Sequence, residues 1–385
     1  MKTSGSHAIS LALALLFGMG GVSMAAAKTF VFVSNATDGN IDAFVMDTKT
    51  GALTSVGKAE AGKTVMPMAL SPNKKHLYAV VRSQPFRVLT YAIDAKTGAL
   101  TQKASATLPD SMPYVSTDRT GRFLFTASYG GDKIAVSPIG DTGLVEKEAI
   151  QVIPTGRNAH SILPDRSNKF VYAATLGANQ ILQFTFDGKT GKLTANDPPS
   201  VSLQPGHGPR HLAFSPDNKF LYVLNELSGH VTQYAIDAKK GTLTLVDSIS
   251  SVPAEAGLAW GAPQAPVGAA PAPAAAKDDK PKVWAADIQI TPNGKFMYTT
   301  ERTTNKIALF KVGSGGKLAY VANYATEAQP RGIRIDPKGR YLIASGEKSD
   351  RLSVYRIDQT NGKLGEPKRY PAGNGANWVE IVDLP

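Results

Sequence analysis

The sequence repeats itself, and no other feature limits the possible folds so sharply. A Gly-x-Leu or Gly-Leu signal recurs at Leu53, Leu100, Leu144, Leu193, Leu243, Leu318 and Leu364, at spacings of 47, 44, 49, 50, 75 and 46 residues. Inside each period the order of apolar runs is constant. Pro209-Arg210-His211-Leu212-Ala213-Phe214 is followed by a turn at Ser215-Pro216-Asp217 and then by Phe220-Leu221-Tyr222-Val223-Leu224. A polar break, the alternating run His230 to Ile236, another turn and the run Thr242 to Val246 complete the period. Short runs rich in β-branched and aromatic residues, bounded by Gly, Pro, Asp and Asn, read as strands. Four antiparallel strands every ~45–50 residues predict an all-β chain, a seven-bladed β-propeller of four-stranded blades.

The ends predict how the ring closes. Thr29 to Val33 is a second strand with no first strand before it, and Trp378 to Val382 is a first strand with nothing after it. Joined in one blade they remove the open sheet edges that invite aggregation. Residues 28–385 then form one domain. The excess in the 75-residue spacing is an Ala/Pro-rich insertion at about 253–282. It joins the last strand of one blade to the first of the next, as a loose loop or as a lid over the channel mouth.

The N-terminus sets the expected compartment. Lys2, an apolar run from about Ala8 to Met19 and the small residues Ala25-Ala26-Ala27 have the layout of a cleavable export signal over residues 1–27. The run is shorter than the roughly 20 residues a membrane span requires. A periplasmic or secreted protein without a membrane span is therefore expected. The chain has no Cys, which excludes disulfides, thiolate metal sites and a Cys nucleophile.

The repeat register allows the blades to be superposed. Phe220 aligns with His76, Phe123, Phe170, Phe296 and Tyr341. Ten residues earlier, at the start of the inner strand, stand Met66, Pro113, His160, Arg210, Ala286 and Arg331. Six residues later, at the end of the second strand, stand Arg82, Tyr129, Leu176, Glu226, Arg302 and Glu347, with Ala36 in the split blade. Antiparallel pairing brings these two sets to one rim of the channel. His160, Arg210, Glu226, Arg302, Arg331 and Glu347 crowd one sector of it, and convergent polar groups in a pocket mark a candidate site. Arg210 with Glu226 and Arg331 with Glu347 should face each other across their hairpins, an arrangement that also suits a structural clamp. His160 has no such partner. His211, one residue on from Arg210, should turn to the opposite face of its strand, where packing is the simpler role.

These motifs carry a resemblance. Met66-Pro67-Met68-Ala69-Leu70-Ser71-Pro72, Phe86-Arg87-Val88-Leu89, Ala159-His160-Ser161, Gly208-Pro209-Arg210-His211, Asn225-Glu226-Leu227, Trp284-Ala285-Ala286-Asp287-Ile288, Glu301-Arg302-Thr303 and Gln329-Pro330-Arg331-Gly332 span nearly the whole mature chain. In that order they resemble the seven-bladed propeller lactonases, on the branch of the bacterial 6-phosphogluconolactonases, which are related to fungal carboxymuconate-lactonizing enzymes. The resemblance implies hydrolysis of a sugar δ-lactone around a His, two Arg and a Glu, matching His160, Arg210, Arg302 and Glu226. Arg331, Arg82, Arg87, His211, Asp287 and Glu347 are the candidate substrate-binding residues. The export signal and the long insertion depart from the family pattern. They leave open whether the lactone is phosphorylated or is an unphosphorylated aldonolactone.

Either His160 or Glu226 could take the proton from water, with Arg210 and Arg302 holding the oxyanion. No metal and no cofactor are expected, because the rings are rich in Arg and only Asp287 and Glu380 are spare oxygen ligands on inner strands. A non-catalytic propeller that binds a protein or a small ligand is the alternative. The chain carries 42 Lys and Arg against 31 Asp and Glu, a net charge of +11. It has no helix–turn–helix or aromatic-basic groove signature for nucleic acid, so the charge is better matched to attracting anionic sugar acids. A monomer is expected.

Overall fold

Each period folds into one four-stranded antiparallel sheet, and the described residues hold seven such sheets. The computed structural model describes residues 1–2, 5, 27–266 and 280–385. The expected export signal therefore lies outside the described residues apart from positions 1, 2, 5 and 27, as does the Ala/Pro-rich centre of the insertion. No helix among the described residues is long and apolar enough to cross a membrane.

Blade 1 closes the ring as its two half-signals predicted. Its inner strand is the C-terminal Ala376–Leu384, followed outward by Lys28–Asn35, Asn40–Met46 and Leu53–Glu60. Lys28–Asn35 pairs antiparallel with the C-terminal strand from Lys28 against Leu384 to Asn35 against Ala376. The inner strands of blades 2 to 7 are Val65–Leu70, Tyr114–Thr117, Ala159–Pro164, Pro209–Phe214, Ala285–Ile290 and Pro330–Ile335. Blade 3 deviates at its edge. Its Gly143-Leu144 turn leads only to an isolated bridge between Ile139 and Val145, and the outer strand forms later, at Gln151–Pro154.

The recurring glycine signal has a packing cause. In every blade a ring at or near the start of the second strand lies against the turn glycine of the next blade. Phe30 meets Gly98, His76 meets Gly143, and Phe123 meets Gly191. Phe170 meets Gly241, Phe220 meets Gly316, Phe296 meets Gly362, and Tyr341 meets Gly51 to close the circle. Two residues further along the same strands, Tyr172 and Tyr222 donate their hydroxyls to the carbonyls of Gly241 and Gly316, both at 2.8 Å. Tyr78 and Tyr298 do the same to Gly143 and Gly362. The apolar core accordingly lies between blades. One cluster combines Phe170 and Tyr172 of blade 4 with Leu212, Phe214 and Leu221 of blade 5.

The rim of the channel is irregular in a regular way. The pairing of inner and second strands slips between Val65 and Met68, Ala159 and Ser161, Pro209 and His211, Ala285 and Ile288, and Pro330 and Gly332. Such β-bulges re-aim the side chains of the bulged residues. The bulged residues include Met66, His160, Arg210, Ala286 and Arg331, the positions that the repeat register placed at the rim.

Adding an alanine methyl tests the inter-blade contact. At Gly241, with φ of 70° in a family of turn glycines that spans 70 to 80°, a Cβ would overlap the Phe170 ring, whereas at Gly257, with φ of 64°, it would meet nothing. Both Gly→Ala changes incur the left-handed backbone cost of roughly 1–2 kcal/mol. Gly241→Ala should lose a further ~1–3 kcal/mol for overpacking. Urea unfolding checks this, and equal losses at the two sites would contradict it.

Candidate active site

The two rings of side chains predicted from the register meet around a cavity of about 320 Å³ at one mouth of the channel. Met66, Pro113, His160 and Arg331 line it from the inner strands, and Ala36, Arg82, Tyr129, Glu226, Arg302 and Glu347 from the ends of the second strands. Antiparallel hairpins that begin and end at the same rim produce this convergence.

Glu226 is the centre of the polar sector. Its Oε2 accepts Arg210 Nε at 2.7 Å and Arg302 Nη2 at 2.8 Å, and all three side chains are almost fully buried. Arg210 comes from its own blade and Arg302 from the next, so one carboxylate oxygen joins blades 5 and 6. Burial works to raise the Glu226 carboxyl, but the charges of Arg302, Arg210 and Arg331 together outweigh it and hold the pKa below its ordinary value. Glu226 is therefore ionised at neutral pH. Burial and the neighbouring Arg302 push Arg210 down to about 9, which still leaves it charged there. Arg302 also lies over the Trp284 ring, with Cζ 3.8 Å from the centroid, and its Nε donates to the Trp284 carbonyl at 3.1 Å.

His160 sits beside this clamp. Its ring meets Tyr129 edge-on at 5.8 Å between centroids and His211 at 5.3 Å. Burial first, then the charge of Arg210, holds its pKa well below 6.5. The imidazole is neutral, and its buried Nδ1 has no hydrogen-bond partner. The second expected pair also forms, with Arg331 Nη1 donating to Glu347 Oε1 at 3.1 Å, but it is more open than the first. Arg82 reaches the same cavity, donating to Ser111 Oγ from Nε and to Met66 Sδ from Nη1.

Several expected site residues stand elsewhere. Arg87 does not line the mouth; its guanidinium donates to the carbonyls of Pro85 and Ala61. Arg210 lies behind the cavity wall, 1% exposed, and is committed to Glu226, to His211 and to the Ala286 carbonyl. His211 does not turn away from the channel as strict alternation required. The bulge at Arg210 lets both residues face inward, and the His211 ring packs edge-on against Tyr114 and Trp378 from other blades. Its Nδ1 bonds Asp287 Oδ1 at 2.9 Å and its Nε2 faces Arg210 Nη1 at 2.9 Å. Burial and the Arg210 charge lower its pKa to about 4, so a neutral ring donates to Asp287 and accepts from Arg210. His211 and Asp287 thus hold Arg210 from below and do not line the mouth.

Further contributors were absent from the sequence-based set. Trp284 lines the mouth and supports Arg302; its place just before an inner strand gave no signal of this. Gln264 and Ala265 of the insertion form part of the cavity wall, and the Gln264 carbonyl accepts the Tyr129 hydroxyl at 2.9 Å. Trp260 packs on His207 and His230. The described arm of the insertion is therefore fastened across the mouth to blades 3 and 5, which the loose-loop reading did not anticipate. Among the described residues no three His, Asp or Glu side chains gather to hold a metal ion.

A closed seven-bladed ring with an arginine-rich pocket at one mouth of its channel defines a propeller with a small-molecule site. The family described as lactonase, seven-bladed β-propeller, matches residues 30–381, and the chain belongs to that family. A 6-phosphogluconolactonase of Yersinia pestis (strain Pestoides F) is 37% identical over 355 residues, covering 92% of this chain and 98% of that protein. The 6-phosphogluconolactonase of Yersinia enterocolitica is 36% identical over 356 residues, with the same coverage of 92% and 98%. The periplasmic gluconolactonase of Pseudomonas aeruginosa has the same fold, with a TM-score of 0.78 at 24% identity, covering 93% of this chain and 100% of that one. A Bacteroides fragilis structure superposes with a TM-score of 0.80 at 24% identity, covering 94% and 99%.

Removing the central carboxylate tests the clamp. Glu226→Gln leaves two buried guanidiniums without their counter-charge and should cost ~3–5 kcal/mol of stability. Glu347→Gln, at a partly open pair, should cost at most ~1 kcal/mol. Comparable losses in denaturant unfolding would contradict the assignment of Glu226 as the clamp.

Proposed function

We propose that this mouth hydrolyses a sugar δ-lactone to its aldonic acid, with His160 as the general base. The observation that carries the reading is a neutral, partner-poor imidazole beside arginines whose charge is fixed by one carboxylate. Glu226 is already held as an anion by two cations, which makes it the poorer proton acceptor. Water between His160 and the lactone carbonyl loses a proton to the imidazole while its oxygen bonds the carbonyl carbon. The tetrahedral oxyanion is met by Arg302, whose Nη1 is unengaged by described residues, and by Arg331. Collapse breaks the bond to the ring oxygen, which takes the proton back from the imidazolium. Arg210 positions Glu226 and touches no substrate. A mouth lined by three guanidiniums, Arg82, Arg302 and Arg331, against two carboxylates, Glu226 and Glu347, repels a metal cation, so these side chains act alone.

Arg82 and Arg331 share the mouth, and guanidiniums suit a phosphate or a carboxylate equally. The identity to 6-phosphogluconolactonases favours 6-phosphoglucono-δ-lactone. The N-terminal export layout favours an unphosphorylated aldonolactone outside the cytoplasm, and the insertion arm that narrows the mouth is compatible with that smaller substrate. Acid release from both lactones, corrected for spontaneous hydrolysis, separates the two readings. Turnover of at least one is expected, and loss of turnover on both would overturn the proposal. Because the active form of His160 is neutral and its pKa is depressed, kcat/KM should stay level from pH 8 down to about 6.5 and fall only in more acid solution. An inflection at or above 6.5 would contradict His160 as the base.

A further inference from the structure

The opposite end of the channel holds a second cavity, of about 380 Å³, that plays no part in the lactone chemistry. Tyr114, His211 and Trp378 touch one another across the channel axis and separate the two ends. Beyond this plug the inner strands turn a second set of residues inward, including Gln289 and Arg334, and the turns that follow add Arg119 and Arg166.

The last two residues break the repeat. At the same turn position blades 2, 5, 6 and 7 carry Pro72, Pro216, Pro292 and Pro337, and the first three lie against Gly121, Gly294 and Gly339 of the following turns. Proline therefore serves as the spacer between neighbouring turns. Blades 3 and 4 replace it with arginine, side by side. Arg119 donates to the Asp165 and Pro164 carbonyls through Nε and Nη2, and Arg166 to the Ser215 carbonyl through Nε. These bonds fix both guanidiniums while leaving Nη1 of Arg119 and both Nη groups of Arg166 unengaged by described residues. Burial, then the charge of Arg166, lowers the Arg119 pKa, and the charges of Asp165 and Asp118 offset only part of this.

The acids that line this cavity are committed to other partners. Asp336 is occupied by the backbone N–H groups of Arg340 and Tyr341. Asp287 is occupied by His211 and by the N–H groups of Ile288 and Ile333. Arg334 is paired with Glu380 at 2.8 Å. Uncommitted charge at this end is positive, while Trp378, Tyr114, Phe214 and Ile335 supply an apolar wall. A concave apolar pocket with a few fixed polar groups is the form of a small-molecule site.

We propose that the far cavity binds a small amphipathic organic anion, its carboxylate or phosphate head between Arg119 and Arg166 and its apolar body against Trp378 and Phe214. The site stands apart from the lactone mouth and goes beyond the function proposed for it. Calorimetric titration of the full mature chain tests it with octanoate, inorganic phosphate and 1-octanol as probes. Octanoate should bind saturably at one site, at least tenfold more tightly than phosphate, which lacks the body, or octanol, which lacks the charge. Arg166→Gln should weaken octanoate at least tenfold. Gln289→Glu, which adds negative charge at the same cavity without touching an inter-blade bond, should do the same and keeps the test decisive if Arg166→Gln fails to fold. Arg331→Gln, at the other mouth, should leave octanoate binding unchanged. No saturable heat up to about 10 mM octanoate, equal binding of phosphate or octanol, or sensitivity to Arg331→Gln but not to Gln289→Glu would overturn the proposal. None of these readouts depends on lactone turnover.

Discussion

A ring of one blade lying on a glycine of the next is the contact on which this molecule depends. At each of the seven turns the glycine takes a positive φ and leaves no room for a Cβ beneath its neighbour's ring. The contact runs round the circle without interruption because blade 7 meets blade 1 through Tyr341 and Gly51. It fixes how close successive blades approach and therefore the bore of the channel. The strand from Ala376 to Leu384 completes blade 1 and locks the same circle through backbone hydrogen bonds.

On that frame the functional geometry needs little more than repeated bulges. A regular strand would send alternate residues to the channel and to the blade interior. The bulge allows two consecutive residues to face the channel, so Arg210 reaches Glu226 at the mouth while His211 reaches Asp287 below it. The result is a chain of contacts, Asp287–His211–Arg210–Glu226–Arg302, in which a neutral imidazole joins the Asp287 carboxylate to the clamp of two ion pairs on Glu226. Every charge in it is buried and matched. Buried pairs bring little net stability, but removing one partner is costly. The value of the chain is that it holds Arg302 and Glu226 still beside His160.

The blade count, the ring closure and the blade positions that supply most of the mouth were legible in the sequence because each rests on period. Phe220 and its equivalents stand at constant distances from both rim positions, and the Arg210–Glu226 and Arg331–Glu347 pairs followed from that spacing alone. What failed was local or long-range. His211 was placed on the wrong face because a bulge leaves no mark in hydrophobic alternation. Arg87 was drawn into the site by its motif, although its side chain is taken up by nearby carbonyls. Trp284 and Gln264 were missed because the contacts that matter, with Arg302 and Tyr129, are made by a residue just outside a strand and by an insertion outside the repeat. No pattern of apolar residues carries such information.

The proposed chemistry turns on the neutral His160 taking a proton from water at this mouth. The most direct measurement is lactone turnover by His160→Gln, corrected for spontaneous hydrolysis, with circular dichroism to verify the fold. A fall of roughly 10²–10⁴-fold is expected, the usual contribution of a positioned general base, with KM little changed and the fold intact. Turnover equal to that of the unaltered protein would contradict it and move the chemistry away from this residue.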